Sequence, residues 1–392
     1  MSTIKVNKIE NTATADGGIA IDATGHVTVD GQQLPTAGAL SNRNLIINGA
    51  MTVSQRSTSE TGVNGSGYKT LDRIRYSANS LAATEITHEQ STDAPDGFAN
   101  SLKVTVTTAE GSVGAADGFR PIDYRIEGQD LQHLQYGTSG AKSLTLSFYV
   151  KSSVTGTYGV CFYRDESTDR QITDTYTISS ANTWEYKTIT IPGDTSASIT
   201  NDNASRFNIY FHAGAGSDST STDSSGSWVN YTFAGFAYGN AVNLQNTLNA
   251  TWQVTGIQLE VGSKATPFEH RSYGDELARC QRYFYKIGGD SVDTALGIGA
   301  VYSSTQINVH LDLPCAMRTK PSAATTGASN WLYVAQGSSS QVSSSSAAIG
   351  DNGDVNLTTL RLFIESLSSL TAGNAVWCLV NSNHSLDFSA EL

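Results

Sequence analysis

The sequence predicts an all-β protein: short N-terminal strands, a jelly-roll-like β-sandwich, one short linker helix and a C-terminal β-sandwich tip domain. Three observations carry this. Charged residues are only 15% of the 392, while glycine, serine, threonine and asparagine dominate the surface-type positions, a composition that favours turns and strands over helices. Apolar side chains recur at every second position in several short runs, the period of a half-buried strand. Between those runs lie Gly, Ser and Asp clusters, and regularly spaced turns of this kind indicate a sandwich or jelly roll.

Residues 1–40 come first. Ile4 and Val6 alternate, as do Ile19 and Ile21, and Val27 and Val29, with Asp16-Gly17-Gly18, Thr24-Gly25 and Asp30-Gly31 as turns. Each piece has two apolar residues, too few to offset roughly 1–2 kcal/mol of backbone entropy per ordered residue. Such strands fold if neighbouring chains complete the core, as in a threefold assembly; the alternative is a leader without fixed structure.

Residues 41–270 hold the sandwich. Leu144, Leu146, Phe148 and Val150 alternate with Thr145, Ser147, Tyr149 and Lys151, and Leu102, Val104 and Val106, then Phe207, Ile209 and Phe211, repeat the pattern. Residues 213–227, AGAGSDSTSTDSSGS, have no side chains able to pack and read as an exposed excursion. In the last strand, Val254, Ile257, Leu259 and Val261 share a face only if a residue is inserted at Thr255-Gly256, where glycine suits a bulge. A linker helix over 271–286 opens at Ser272 with Asp275 as capping partner, and Leu277, Cys280 and Phe284 follow at helical spacing. The tip domain, 287–392, has alternating strands at Ile307, Val309, Leu311, Leu313 and at Leu360, Leu362, Ile364. A serine-rich stretch at 338–346 reads as a flexible loop.

The string from Trp252 to Phe284, WQVTGIQLEVGSKATPFEHRSYGDELARCQRYF, resembles the junction of many tail-fibre proteins of tailed bacteriophages, those of marine phages especially. In that family a carbohydrate-module-like sandwich hands over to a C-terminal tip. Asn44-Leu45-Ile46-Ile47-Asn48-Gly49-Ala50-Met51, with Tyr68, Leu71-Asp72-Arg73 and Arg75-Tyr76, is similar to the opening of the same sandwich. Leu313-Pro314-Cys315-Ala316-Met317-Arg318 with Pro321, and Ser389-Ala390-Glu391-Leu392, look like its tip. The resemblance implies a homotrimeric fibre of the virion tail, assembled in the host cytoplasm. Residues 1–40 would meet tail adaptor or nozzle proteins, and the tip would meet a host surface polysaccharide. Two alternatives stand beside it: a structural fibre or adaptor that meets no receptor, and a polysaccharide-degrading tailspike, although the chain has no β-helix repeat. These motifs carry no functional residue.

Other observations exclude classes. A net charge of -12 repels nucleic-acid backbones and anionic membranes, and no stretch approaches eighteen apolar residues. No signal-peptide pattern opens the chain, which points to synthesis in a cytoplasm. Cys161, Cys280, Cys315 and Cys378 are far apart without metal-ligand spacing and read as buried free thiols. No cofactor, metal site or enzyme motif is expected: nucleophile-elbow, HExxH and Walker patterns are absent, and Asp351-Asn352-Gly353-Asp354 lacks the downstream glutamate of a calcium loop. Asp165, Glu166 and Asp169, or Asp123 with Glu127, are the carboxylate groups a glycosidase would need, and solvated turns explain them as well. The feature compatible with function is aromatic, since the chain has 17 tyrosines and 5 tryptophans and such rings stack on the apolar faces of sugars. Trp331 and Tyr333 in the tip are the leading glycan-binding candidates, followed by Trp228, Tyr231 and Tyr238 beside the long polar loop. Trp184, Trp252 and Trp377 read as core.

Overall fold

Alternating side chains decide which way each strand faces, and facing apolar rows decide what the strands pack against. The computed structural model describes residues 8–10, 18–21, 27–29, 32–33, 41–326, 331–336, 339–340, 346–349 and 357–392. It divides into two units, Met1–Arg271 and Ser272–Leu392. All-β architecture is what both display, with antiparallel ladders throughout.

In the first unit two sheets share one core. The front sheet runs Val229–Asn230, Arg170–Ile178, Gly156–Arg164, Ser205–His212, Gly118–Glu127, Arg75–Asn79 and Gly67–Tyr68, with Gly214–Ala215 also paired to Gly118–Glu127. The back sheet runs Glu185–Ile191, Leu144–Ser152, Thr251–Val261, Ser101–Thr108, Glu85–Ser91 and Ser59–Val63. Leu144, Leu146, Phe148 and Val150 meet Phe207, Ile209 and Phe211 in the core, as their alternation requires. Trp252 is wholly buried there, and its indole N–H donates to the Tyr176 hydroxyl at 3.0 Å.

The expected bulge is present. Ser147 pairs with Gln258 but Tyr149 with Thr255, so Gly256 and Ile257 together face Phe148. Gly256 has φ 62°, and a Cβ there would lie 2.7 Å from the Phe98 ring. Glycine therefore serves twice, for the left-handed backbone and for the close approach. The two strings that carry the family resemblance in this unit prove to be one structural feature. Asn44 Nδ2 donates to the Ile257 carbonyl at 3.1 Å and its Oδ1 accepts from Leu259 N at 3.1 Å, while Arg271 donates to the carbonyl of Ile46. Phe98, Phe268 and His270 cluster with centroids 4.9–5.2 Å apart and pin the chain crossing that follows Pro267.

Upstream, Lys8–Glu10, Gly18–Ile21, Val27–Val29 and Gln32–Gln33 form a small antiparallel sheet. Ile19 and Ile21 are 42% and 43% exposed. Ile4, Val6 and most of the turn residues between these strands lie outside the described residues.

The second unit begins with the helix Tyr273–Gln281, whose N-cap Ser272 accepts from Asp275 N at 3.2 Å, as the capping box requires. The helix stops three residues short of Phe284. Phe284–Gly288 is instead a strand paired with Ser385–Ser389, because the aromatic run Tyr283-Phe284-Tyr285 favours a sheet that has a partner waiting. Cys280 and Phe284 are buried as expected, but Leu277 is only half-buried while Glu276 beside it is covered. A second sheet includes Leu332–Gln336, Ala375–Val380, Thr294–Ser303, Gln306–Asp312 and Thr359–Glu365. Arg318 donates to the Ala390 and Glu391 carbonyls at 2.7 and 2.8 Å, which ties the tip motif to the C-terminal one. The Asp351–Asp354 motif lies outside the described residues, and of the serine-rich stretch only Ser339–Ser340 and Ser346 are described, as strand.

Cys161 and Cys378 are buried free thiols and Cys280 is buried as well; Cys315, expected to be buried, is half-exposed because it sits in the bend after Leu313 rather than on a core strand. Burial pushes the Cys378 thiol up to about 12, away from reactivity.

Candidate ligand-binding site

The front sheet turns one set of side chains into the core and the alternate set outward. Where Phe207, Ile209 and Phe211 point in, Asn208, Tyr210 and His212 point out; where Tyr158, Val160 and Phe162 point in, Cys161 and Tyr163 point out. Strand pairing aligns the outward set in rungs. Arg125, Asn208 and Tyr163 lie across three neighbouring strands in one rung, and Asp123, Tyr210 and Cys161 in the next.

The segment from 216 to 240 crosses over part of this face. Residues 213–227 read as an exposed excursion without packing, and the structure corrects that: Ala213, Ala215, Ser219 and Ser224 are buried. Small side chains let the backbone lie close to the sheet, and hydroxyls satisfy the groups that contact buries. Ser224 Oγ lies 2.8 Å from Thr173 Oγ1 and donates to the Gly235 carbonyl at 2.7 Å. The crossing lays Phe236 against the outward tyrosines. The Phe236 ring is 4.8 Å from Tyr210 and 5.9 Å from Tyr231, and Tyr231 is 5.2 Å from Tyr163.

The result is a cleft of about 280 Å³ lined by Arg125, Tyr163, Asp165, Asn208, Tyr210, Tyr231 and Phe236. Tyr231 is 38% exposed, and Tyr163 and Tyr210 are half-buried. Arg125 is fixed by Asp123, which accepts from its Nε at 3.1 Å and its Nη2 at 3.0 Å and also from Arg75. Burial opposes the Arg125 charge, yet the hydrogen bond and field of Asp123 outweigh it and raise its pKa. Burial likewise raises Tyr163 and Tyr210, assisted by Asp169 and Asp123 respectively, so both phenols stay neutral donors. Asp165 is raised by burial and by the charge of Asp169, against the opposing pull of Arg206. Rings that can stack, next to a guanidinium, an amide and a carboxylate, form the donor and acceptor set that a polyol requires.

The sequence-derived candidates divide. Tyr231 lies in the cleft, and Tyr238, half-buried, follows Phe236 in the crossing segment. Trp228 does not reach the cleft: it is 8% exposed, packs on Tyr136 and Phe207 in the core, and donates its indole N–H to the Pro192 carbonyl at 2.8 Å. Trp331 is 0% exposed within the apolar core of the second unit, so its ring has no face to offer a sugar. Trp377, read as core, is 50% exposed, because Val376 and Cys378 take the inward positions and leave it on the outer face opposite Ile298. Half-buried Tyr333 lies on the neighbouring strand opposite Leu379. Trp184, also read as core, is half-buried under the Lys151 ammonium, 5.2 Å from its ring centroid.

Of the carboxylates, Asp123 is held by two arginines, and Glu166 accepts from Thr200 N and Oγ1 at 2.9 and 2.7 Å. Glu127 accepts from Gln129 Nε2 at 2.7 Å. Among the described residues no group of three or more His, Cys, Asp or Glu is placed to hold a metal ion, and no helix is long and apolar enough to cross a membrane.

No family model matches the chain, and no curated protein matches it. Solved structures with partial likeness include the enzymatically active domain of tailspike protein 4 of bacteriophage CBA120, at 14% identity over 56% of this chain with a TM-score of 0.30. The matched part spans 21% of that domain's chain. Another is the family 11 carbohydrate-binding module of a cellulosomal cellulase of Clostridium thermocellum, at 16% identity over 52% of this chain and 99% of that one, TM-score 0.26. Likeness at this level does not assign a function.

Proposed function

We propose that the chain is a phage tail fibre that adsorbs to its host by noncovalent recognition of a surface glycan, through the ring-lined cleft of its first unit. The observation that carries the reading is the alignment of Tyr163, Tyr210 and Tyr231 around Phe236 beside Arg125 and Asn208. A sugar laid on these rings finds hydrogen-bond partners at its edge. Because Trp331 is buried, we assign the contact to the sandwich rather than to the tip. Stacking of one ring contributes about 1 kcal/mol beyond its burial, so Tyr231→Ala should weaken binding several-fold. The test is titration of full-length protein with purified host surface polysaccharide, with thermal unfolding as the control for folding. Equal binding by wild type and by folded Tyr163→Ala/Tyr231→Ala protein would refute the assignment.

Assembly is part of the proposal. Ile19 and Ile21 lie exposed on the small N-terminal sheet, and two neighbouring copies would cover them. A homotrimer, joined to tail adaptor or nozzle proteins by this end in the virion, also multiplies a weak site by avidity. Sedimentation of the intact protein should give three times the chain mass; a stable monomer at micromolar concentration would exclude it. We read the site as binding without cleavage, since Asp123 is committed to arginines and Glu166 to Thr200. New reducing ends on incubation with the polysaccharide would contradict that and favour a tailspike activity.

A further inference from the structure

A second hollow, about 610 Å³, adjoins the ring-lined cleft and has a different character: its walls include Glu166, Ser167, Thr168, Arg170, Ser198 and Asn230. Asp165 lines the cleft and Glu166 the trough; Tyr231 lines the cleft and Asn230 the trough. Consecutive Cα atoms are about 3.8 Å apart, so at both places the ridge between the hollows is one chain thick. Tyr231 N donates to the Asp169 carbonyl at 2.9 Å and joins the two walls into that ridge.

Charge separates the ligands that could follow this path. Each arginine along it already holds a carboxylate: Arg125 pairs with Asp123, Arg170 with Asp194 and Arg206 with Asp202. The ridge itself carries Asp165, Glu166 and Asp169, on a chain of net charge -12. An anionic sugar would meet these carboxylates with the guanidiniums occupied. Exposed hydroxyls of Ser167, Thr168 and Ser198 in the trough donate and accept, as the hydroxyls of a neutral sugar do.

We infer that the ligand is an uncharged oligosaccharide that stacks its first units on the tyrosines and continues over the Asp165–Asp169 turn into the hydroxyl-lined trough. This rests on the sugar-binding function proposed above. The test is calorimetric titration of the full-length protein with size-fractionated neutral fragments of the host polysaccharide, and with the same fragments oxidised to carboxylates at C6. Affinity should rise about tenfold from disaccharide to hexasaccharide, the equivalent of one or two net hydrogen bonds. Thr168→Ala/Ser198→Ala protein should lose that gain and keep the disaccharide affinity, and oxidised fragments should bind more weakly. Length-independent affinity that is still sensitive to Tyr231→Ala would overturn the extended path and leave the cleft assignment standing. Tighter binding of oxidised fragments would overturn the neutral class. Binding of fragments that ignores Tyr231→Ala, or none at all, would overturn the cleft assignment and this inference with it.

Discussion

Replacing Asp194 by alanine should lower the stability of the first unit by about 3–5 kcal/mol, the cost of leaving a buried charge without its partner. Asp194 is 1% exposed and accepts from Arg164 Nη1 at 2.5 Å and from Arg170 Nε at 2.7 Å. Arg164 is itself wholly buried, its guanidinium stacked 5.4 Å from the Tyr136 ring and its Nη2 bonded to the Ser198 carbonyl. Without the carboxylate that guanidinium has neither water nor counter-charge. Denaturant unfolding of the Asp194→Ala protein should show a lower midpoint with the slope little changed. Arg164→Met/Asp194→Leu protein should recover much of the loss, because apolar side chains carry no desolvation penalty. A single variant within about 1 kcal/mol of wild type would mean that the pair is solvated.

Acidification below neutrality should destabilise the same unit well before ordinary carboxylates titrate. His88 is completely buried, Nδ1 2.8 Å from Thr70 Oγ1, and burial, aided by the charge of Lys69, lowers its pKa from 6.5 to about 3. His212 is lowered in the same direction by burial and by Arg120. An unfolded chain takes up these protons below pH 6.5, while the folded chain excludes the His88 proton until about pH 3. The His88 contribution is therefore complete above pH 6.5 and lost as pH falls through the window beneath it, by about 1.4 kcal/mol per pH unit. His88→Asn protein should show a shallower decline over that window. Identical slopes in the two proteins would show that His88 is reached by water in the folded state.

What was legible in the sequence was local. Alternation placed the strands at 144–150 and 207–211, the Thr255-Gly256 insertion announced its bulge, and Ser272 with Asp275 announced its cap, because each signal lies within a few residues. Helix against strand at Phe284 was decided instead by Ser385–Ser389, a hundred residues downstream. The cleft was less visible for the same reason: Arg125, Tyr163 and Asn208 meet only through the register of three strands, and Phe236 reaches them on a segment whose serines gave no sign of packing. A signal did exist, since Tyr163 and Tyr210 occupy the outward positions of alternating strands, where a polar residue is the usual choice. The phase of Trp377 between Val376 and Cys378 was equally readable. Trp331 misled because polar stretches on both sides suggested exposure, whereas it lies just before the strand Leu332–Gln336 and, although that strand's alternation already points Leu332 inward, is wholly buried in the core of the second unit.

The most direct test of the central claim is an experimental structure of the assembled protein with a bound fragment of the host polysaccharide. Sugar should appear against Tyr163, Tyr210 and Tyr231, with Asn208 and Arg125 within hydrogen-bond reach of its hydroxyls. Sugar bound to the second unit instead, on the exposed face that carries Trp377 and Tyr333, with the cleft empty, would contradict the account.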